Sequence, residues 1–235
     1  MLTQMDKMLI SGGNGFLGSN LAERAIEDGF EVTVEDDFST SIRANISDEA
    51  TIIRERVEDI SLQNNFEHIV HLSARQSPVD YISNSVETLM SNSVDTMKLL
   101  EMMRGGKSRF FYVSLSEVYG NAEGLPTPET YYGYVSSWGI RSCYDEGNRY
   151  SEAVAMAYHR KFSTDTRIQT PFNVNGPRIS PDDLYGRVVP RFIQQALSGK
   201  DIYTSCIKGK RYDVGKIDLW IRTFVEFVMK ERGTR

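Results

Sequence analysis

The stretch "KMLISGGNGFLGSNL", Lys7 to Leu21, decides the fold. Its opening run, 7–10, reads as a buried strand. Gly12, Gly15 and Gly18 follow as G-x-x-G-x-x-G, and a helical pattern runs over Gly15–Asp28. Glycine here permits a tight turn and lets main-chain N–H groups approach a ligand closely. The helix that opens on the turn points the positive end of its dipole at that ligand, which suits a pyrophosphate. A glycine triplet by itself can also be no more than a glycine-rich turn closing a helix. Context separates the two readings. A second apolar run, "EVTV" (31–34), leads into "EDDFST", which places Asp36 about twenty residues on, where a carboxylate accepts ribose hydroxyls. An acid at that point favours NAD over a 2′-phosphorylated cofactor.

Outward from this unit, "HIVHL" (68–72) and "RFFYV" (109–113) read as further buried strands. Helical patterns are predicted over Ser85–Arg104, where Leu89, Met97, Leu100 and Met103 recur, and near 144–162, 188–198 and 217–231. Strands alternating with helices predict an α/β fold, a doubly wound parallel sheet of the Rossmann type. The segment 121–140, rich in Gly, Pro and Ser, is expected to be a long functional loop.

The composition narrows the function classes. With 235 residues, 40% apolar and 25% charged, the chain has material for one large core. A net charge of −5 without a basic run excludes the usual nucleic-acid or membrane-surface protein. Two cysteines, Cys143 and Cys206, give neither a disulfide framework nor metal-ligand spacing, so no metal is expected and reduced thiols fit a cytoplasmic protein. No stretch approaches the ~20 apolar residues of a membrane helix, and the N-terminus lacks a signal-peptide pattern.

Taken together, the triplet, "VSLSEVYG" (113–120), "CYDEGNR" (143–149) and "FNVNGPR" (172–178) resemble the extended short-chain dehydrogenase family of NAD-dependent nucleotide-sugar epimerases, dehydratases and decarboxylases. "YYGYVSSWGIRSCYDEGNR" and "YGRVVPRFIQQALSGK" resemble the UDP-glucuronic acid decarboxylase subgroup. The resemblance implies an NAD-binding Rossmann domain over 1–170 and a substrate-binding lobe over 171–235. That lobe would be small, interleaved with the first domain and C-terminally shortened relative to the family. It also implies a homodimer joined through a four-helix bundle built from Ser85–Arg104 and 144–162.

By position, the resemblance makes Tyr144 the acid/base at the sugar C4 hydroxyl and Glu117 the glutamate near C5, with Ser116 beside it. Cofactor contacts fall on Gly12, Gly15, Phe16, Leu17, Gly18, Asp36, Asn92, Tyr144 and Asn148, together with "HLSA" (71–74). Asn173, Arg178, Arg187 and Arg211 fall on contacts to a nucleotide sugar resembling UDP-glucuronate. Each has a plainer reading: Tyr144 as a core aromatic, Glu117 as a solvated charge, Asn173 as a turn residue, the arginines as surface charges.

Three positions depart from the family. Asn148 stands where a lysine follows the tyrosine by one helical turn, Leu115 where a Ser or Thr shares the C4 proton, and Arg56 where an acid contacts adenine. Strand alternation puts Leu115 on the face of Val113 and predicts a packed apolar residue there. Two functions stay open at this point: an enzyme with altered proton handling, whether decarboxylase, 4-epimerase or 4,6-dehydratase, or a non-catalytic nucleotide-sugar-binding relative or partner subunit.

Overall fold

The computed structural model describes residues 5–41, 46–61, 65–124, 126–179 and 188–199. Among the described residues six strands form one all-parallel sheet: β1 (Lys7–Ser11), β2 (Glu31–Glu35), β3 (Thr51–Ile53), β4 (His68–His71), β5 (Arg109–Val113) and β6 (Asp165–Gln169). Their order is β3-β2-β1-β4-β5-β6. The chain winds outward from β1 to β3, then returns to place β4 on the other side of β1. This reversal is the topological switch point, where open α/β sheets bind ligands beyond the carboxyl ends of their strands.

The helices are α1 (Phe16–Glu27), α2 (Pro78–Ser83), α3 (Ser85–Met90), α4 (Thr96–Met103), α5 (Ser142–Phe162) and α6 (Val188–Leu197). Side-chain alternation gives the sheet two cores. Met8, Ile10, Val32, Val34 and Val70 pack with Leu21, Ala22 and Ala25 of α1. Leu9, Ile69 and Phe110, on the opposite face, pack with Leu99, Leu100 and Met103 of α4 and Ala155 and Tyr158 of α5. Burial on both faces explains why the central strands read as continuous apolar runs.

The single helix predicted over Ser85–Arg104 is a correction. A π-type turn, Ser91–Asp95, interrupts it, so α3 and α4 are joined through a bulge. Strands β3 and β6, helix α2 and a 3₁₀ turn at Ser116–Tyr119 were not anticipated from the sequence. The pattern at 217–231 lies outside the described residues, as does most of the segment assigned to the second lobe. Among the described residues no helix is long and apolar enough to cross a membrane.

Candidate functional site

A cleft of about 390 Å³ runs along the carboxyl ends of the strands. The glycine turn forms one wall. Gly12 has φ +70°, and a Cβ there would lie 2.7 Å from the Ser73 nitrogen. A Cβ on Gly18 would lie 2.4 Å from the Gly12 carbonyl oxygen. The turn is pinned from below, since Gly12 and Gly13 donate N–H bonds to the Glu35 carbonyl at 2.8 and 3.2 Å. Gly15 caps α1 without a side chain, and Phe16, Leu17 and Gly18 line the cleft. The N–H groups of a first helical turn have no intrahelical acceptor and face outward. A Cβ-free cradle with such donors fits a dinucleotide's phosphates.

Asp36 stands at the end of β2, buried and on the same cleft. Its Oδ2 accepts the Asn14 N–H at 3.0 Å; its Oδ1 accepts the Phe38 N–H and the Ser41 hydroxyl, both at 2.8 Å. Burial pushes its pKa up, against these bonds. Three acceptor positions of a carboxylate's four are taken, so the acid is oriented by the turn it serves and keeps capacity for a ribose hydroxyl.

The other end of the cleft is built by the end of β5 and the start of α5. Val113, Ser114, Leu115, Ser116 and Glu117 line it together with Tyr144. Tyr144 is 3% exposed and stacks on Tyr81 of α2, with ring centroids 4.7 Å apart and planes 8° apart. Leu115 is buried against this pair and Cys143, as the alternation argument predicts. Glu117 is oriented by Ser116, whose hydroxyl donates to Oε2 at 2.9 Å, and by Arg141, 3.8 Å from Oε1. The Ser114 hydroxyl faces α5 and donates to Glu152 at 2.6 Å.

Asn148 is 1% exposed and is not among the residues lining the cleft. Its Nδ2 donates to the Tyr144 carbonyl at 2.8 Å and its Oδ1 accepts the Tyr112 hydroxyl at 2.7 Å. The amide therefore ties α5 to β5. Asn92, in the π-type turn, is equally buried, and its side chain packs on Gly147, whose added Cβ would lie 3.0 Å from it. Asn173, at φ +32°, and Arg178, at φ +68°, both line the cleft. Arg178 turns its guanidinium to α1, donating to the Ser19 carbonyl at 2.9 Å and pairing with Glu23 at 2.8 Å. Arg187 and Arg211 lie outside the described residues.

Sequence reasoning missed a buried polar row. Glu35, Ser11, His71 and Tyr112 are register partners across β2, β1, β4 and β5. All four lie on the face covered by α4 and α5. Burial holds His71 down to about pKa 3 and pushes Glu35 up to about 8. Asp95 enters the same region from the π-type turn and lines the cleft with Glu35. An acid closing the strand "EVTVE" behind two valines was the available signal.

Residues 8–214 match the NAD dependent epimerase/dehydratase family. UDP-glucuronic acid decarboxylase 1 of Xenopus tropicalis is 39% identical over 202 residues, covering 83% of this chain and 47% of that protein. UDP-glucuronic acid decarboxylase 4 of Arabidopsis thaliana is 40% identical over 197 residues, covering 81% and 44%. The chain thus spans about half the length of the curated relatives it matches. Among solved structures, UDP-glucose 4-epimerase of Thermotoga maritima with UDP-glucose superposes with a TM-score of 0.81 at 25% identity, over 92% of this chain and 71% of that one. UDP-glucuronic acid 4-epimerase of Bacillus cereus in complex with NAD gives 0.80 at 25% identity, over 95% and 73%.

Proposed function

Because the chain belongs to the NAD-dependent epimerase/dehydratase family, we propose that it binds NAD across β1 and α1 and modifies a nucleotide sugar. The substrate is of the UDP-glucuronate kind and the reaction a decarboxylation: oxidation at C4, loss of the C5 carboxylate as carbon dioxide, and re-reduction. The single observation that carries this reading is one cleft holding both the glycine cradle with Asp36 and, at its other end, Glu117 and Tyr144. When bound, the dinucleotide supplies a hydride acceptor and donor.

The chain's own groups do the rest. Tyr144 handles the proton of the C4 hydroxyl, held in place by its stack on Tyr81. Glu117, fixed by Ser116 and Arg141, serves the C5 end. Asn173, Arg178, Arg187 and Arg211 belong to the sugar-nucleotide lobe from about 171 onward. A 4-epimerase or 4,6-dehydratase would use the same cofactor end, and the product distinguishes them.

A specific observation favours a second reading. The position one turn after Tyr144 carries a buried amide committed to Tyr112, and Leu115 brings an alkyl group to the tyrosine. General acid–base help of this sort is typically worth about 10²–10⁴-fold. A non-catalytic binding relative, or the partner subunit of a complete homologue, tolerates that loss. Incubating the purified protein with UDP-glucuronate and NAD tests both. UDP-xylose or the 4-keto sugar supports the enzyme; tight NAD binding without product supports the binding protein.

The homodimer reading draws support from an exposed apolar stripe on α3, α4 and α5: Val86, Leu89, Met90, Met97, Tyr150 and Met156. These helices pack on one another, so a second copy meeting them makes a four-helix bundle. Sedimentation velocity of the purified protein tests it, and a monomer at all concentrations removes it. A cytoplasmic location is proposed from cysteine usage.

A further inference from the structure

We infer that Asp95 is a specificity-determining residue whose carboxylate accepts a hydrogen bond from the exocyclic amino group of the cofactor's base, so that the chain selects a 6-aminopurine over a 6-oxopurine. The inference deepens the dinucleotide reading above and rests on it.

The glycine turn fixes where phosphates sit and Asp36 fixes where the ribose sits. A base carried on that ribose would reach past Asp36, away from the turn. There the cleft is lined by Arg56, Val57 and Asp95. Val57 is 1% exposed and offers an apolar wall. Asp95 is 4% exposed, and its Oδ1 has no hydrogen-bond partner among the described residues. Glu35, 1% exposed on the same cleft, likewise leaves Oε2 without a partner among them.

A buried acceptor without a donor costs about 1–3 kcal/mol, more when charged, and native chains keep few of them. One such acceptor on the wall of a ligand-sized cleft, Asp95 Oδ1, points to a donor that arrives with the ligand. The π-type turn is what brings Asp95 there, and such turns are often found at functional sites. Of the groups a purine dinucleotide carries beyond its ribose, the amino group at C6 is the donor. A carbonyl at C6 sets oxygen against oxygen where the amino group would donate, and the donor of such a base moves to N1, out of that position. Burial pushes Asp95 up to about 7, with Arg56 opposing, as an acceptor lacking its donor should behave.

Sites built to hydrogen-bond a substrate group reject analogues lacking it strongly. The test is titration calorimetry of the full chain with NAD and with nicotinamide hypoxanthine dinucleotide. Wild type is expected to bind the hypoxanthine analogue at least about tenfold more weakly, a loss of about 1.4 kcal/mol. Asp95→Leu, similar in volume, removes the acceptor and is expected to abolish that preference. Equal binding of the two dinucleotides by wild type overturns the inference and leaves the cofactor reading standing. Unchanged discrimination in Asp95→Leu also overturns it. Absence of binding by either dinucleotide overturns the cofactor reading and this inference together.

Discussion

The Asn148 side chain bridges β5 and α5, accepting the Tyr112 hydroxyl at 2.7 Å while donating to the Tyr144 carbonyl at 2.8 Å. Tyr112 is 3% exposed, so its hydroxyl has no water to fall back on. Asn148→Ala removes that hydroxyl's amide acceptor, leaving the Ser151 hydroxyl as its neighbour, and is expected to cost about 1–3 kcal/mol. Tyr112→Phe removes the donor, so the double variant should be less destabilised than the two single losses added together. Urea unfolding of the four proteins measures the coupling, and simple additivity would show that the bridge contributes nothing.

Leu115 contributes packing where the proposed chemistry needs a hydroxyl. It is 7% exposed, in contact with Tyr81, Cys143 and Tyr144. Leu115→Thr trims the cluster and buries a hydroxyl, for an expected loss of about 2 kcal/mol. Combined with Asn148→Lys and Tyr112→Phe, it restores both a proton-sharing group and a cation near Tyr144. An opposite charge within reach shifts a pKa by about 1–3 units. The triple variant is expected to reduce NAD with UDP-glucuronate at least about tenfold faster than wild type. No gain in a variant shown to be folded favours the binding protein.

Gly18 and Gly29 separate two uses of glycine. A Cβ on Gly18 collides with the Gly12 carbonyl, whereas one on Gly29 meets nothing within 4 Å, although its φ is +83°. Gly18→Ala is expected to lose about 1–3 kcal/mol through overpacking and to weaken NAD binding at least about tenfold by deforming the phosphate turn. Gly29→Ala is expected to lose stability by backbone strain alone, with NAD affinity unchanged. Calorimetry beside thermal melts distinguishes them. Retained affinity in Gly18→Ala removes the turn from the proposed phosphate site.

What could be read from the sequence follows the range of the forces involved. The strand, glycine turn and helix at Lys7–Glu27 are local, and their residues say so. The edge strands β3 and β6 hid. "TII" is three residues long, and "DTRIQ" is half exposed and charged, because an edge strand needs no apolar run. The turn at Ser91–Asp95 hid inside an almost helical periodicity, since one extra residue per turn barely disturbs the pattern of Leu89, Met97 and Leu100. Tyr144, Glu117 and Asp36 line one cleft. Asn148 was legible as an amide in a cation's place, but its commitment to Tyr112 is a tertiary fact. So is the lack of a donor at Glu35 Oε2 and Asp95 Oδ1 among the described residues, which no motif records.

Glu35 sets a slope of stability against pH. In the unfolded chain it loses its proton near 4.5, while folded it keeps it to about 8, through burial reinforced by Asp36, Asp95 and Asp37. Between these values the unfolded chain binds fewer protons, so stability falls as pH rises. Asp95, raised from 3.8 to about 7, acts in the same direction. His71, lowered from 6.5 to about 3, acts oppositely, because the unfolded chain takes up a proton that the folded imidazole refuses; its contribution is present above 6.5 and lost as pH falls to about 3. Above pH 6.5 the His71 contribution is constant and the acids alone decide. Glu35→Gln removes one of them without changing shape. Relative to wild type, the variant is expected to gain up to about 1.4 kcal/mol for each pH unit crossed between 4.5 and 8. Urea unfolding of both proteins at about pH 5, 6.5 and 8 measures that difference, read as a slope so that any constant cost of the amide cancels. A difference that stays flat with pH would mean that Glu35 is already ionised in the folded chain, with a partner for Oε2 supplied by solvent.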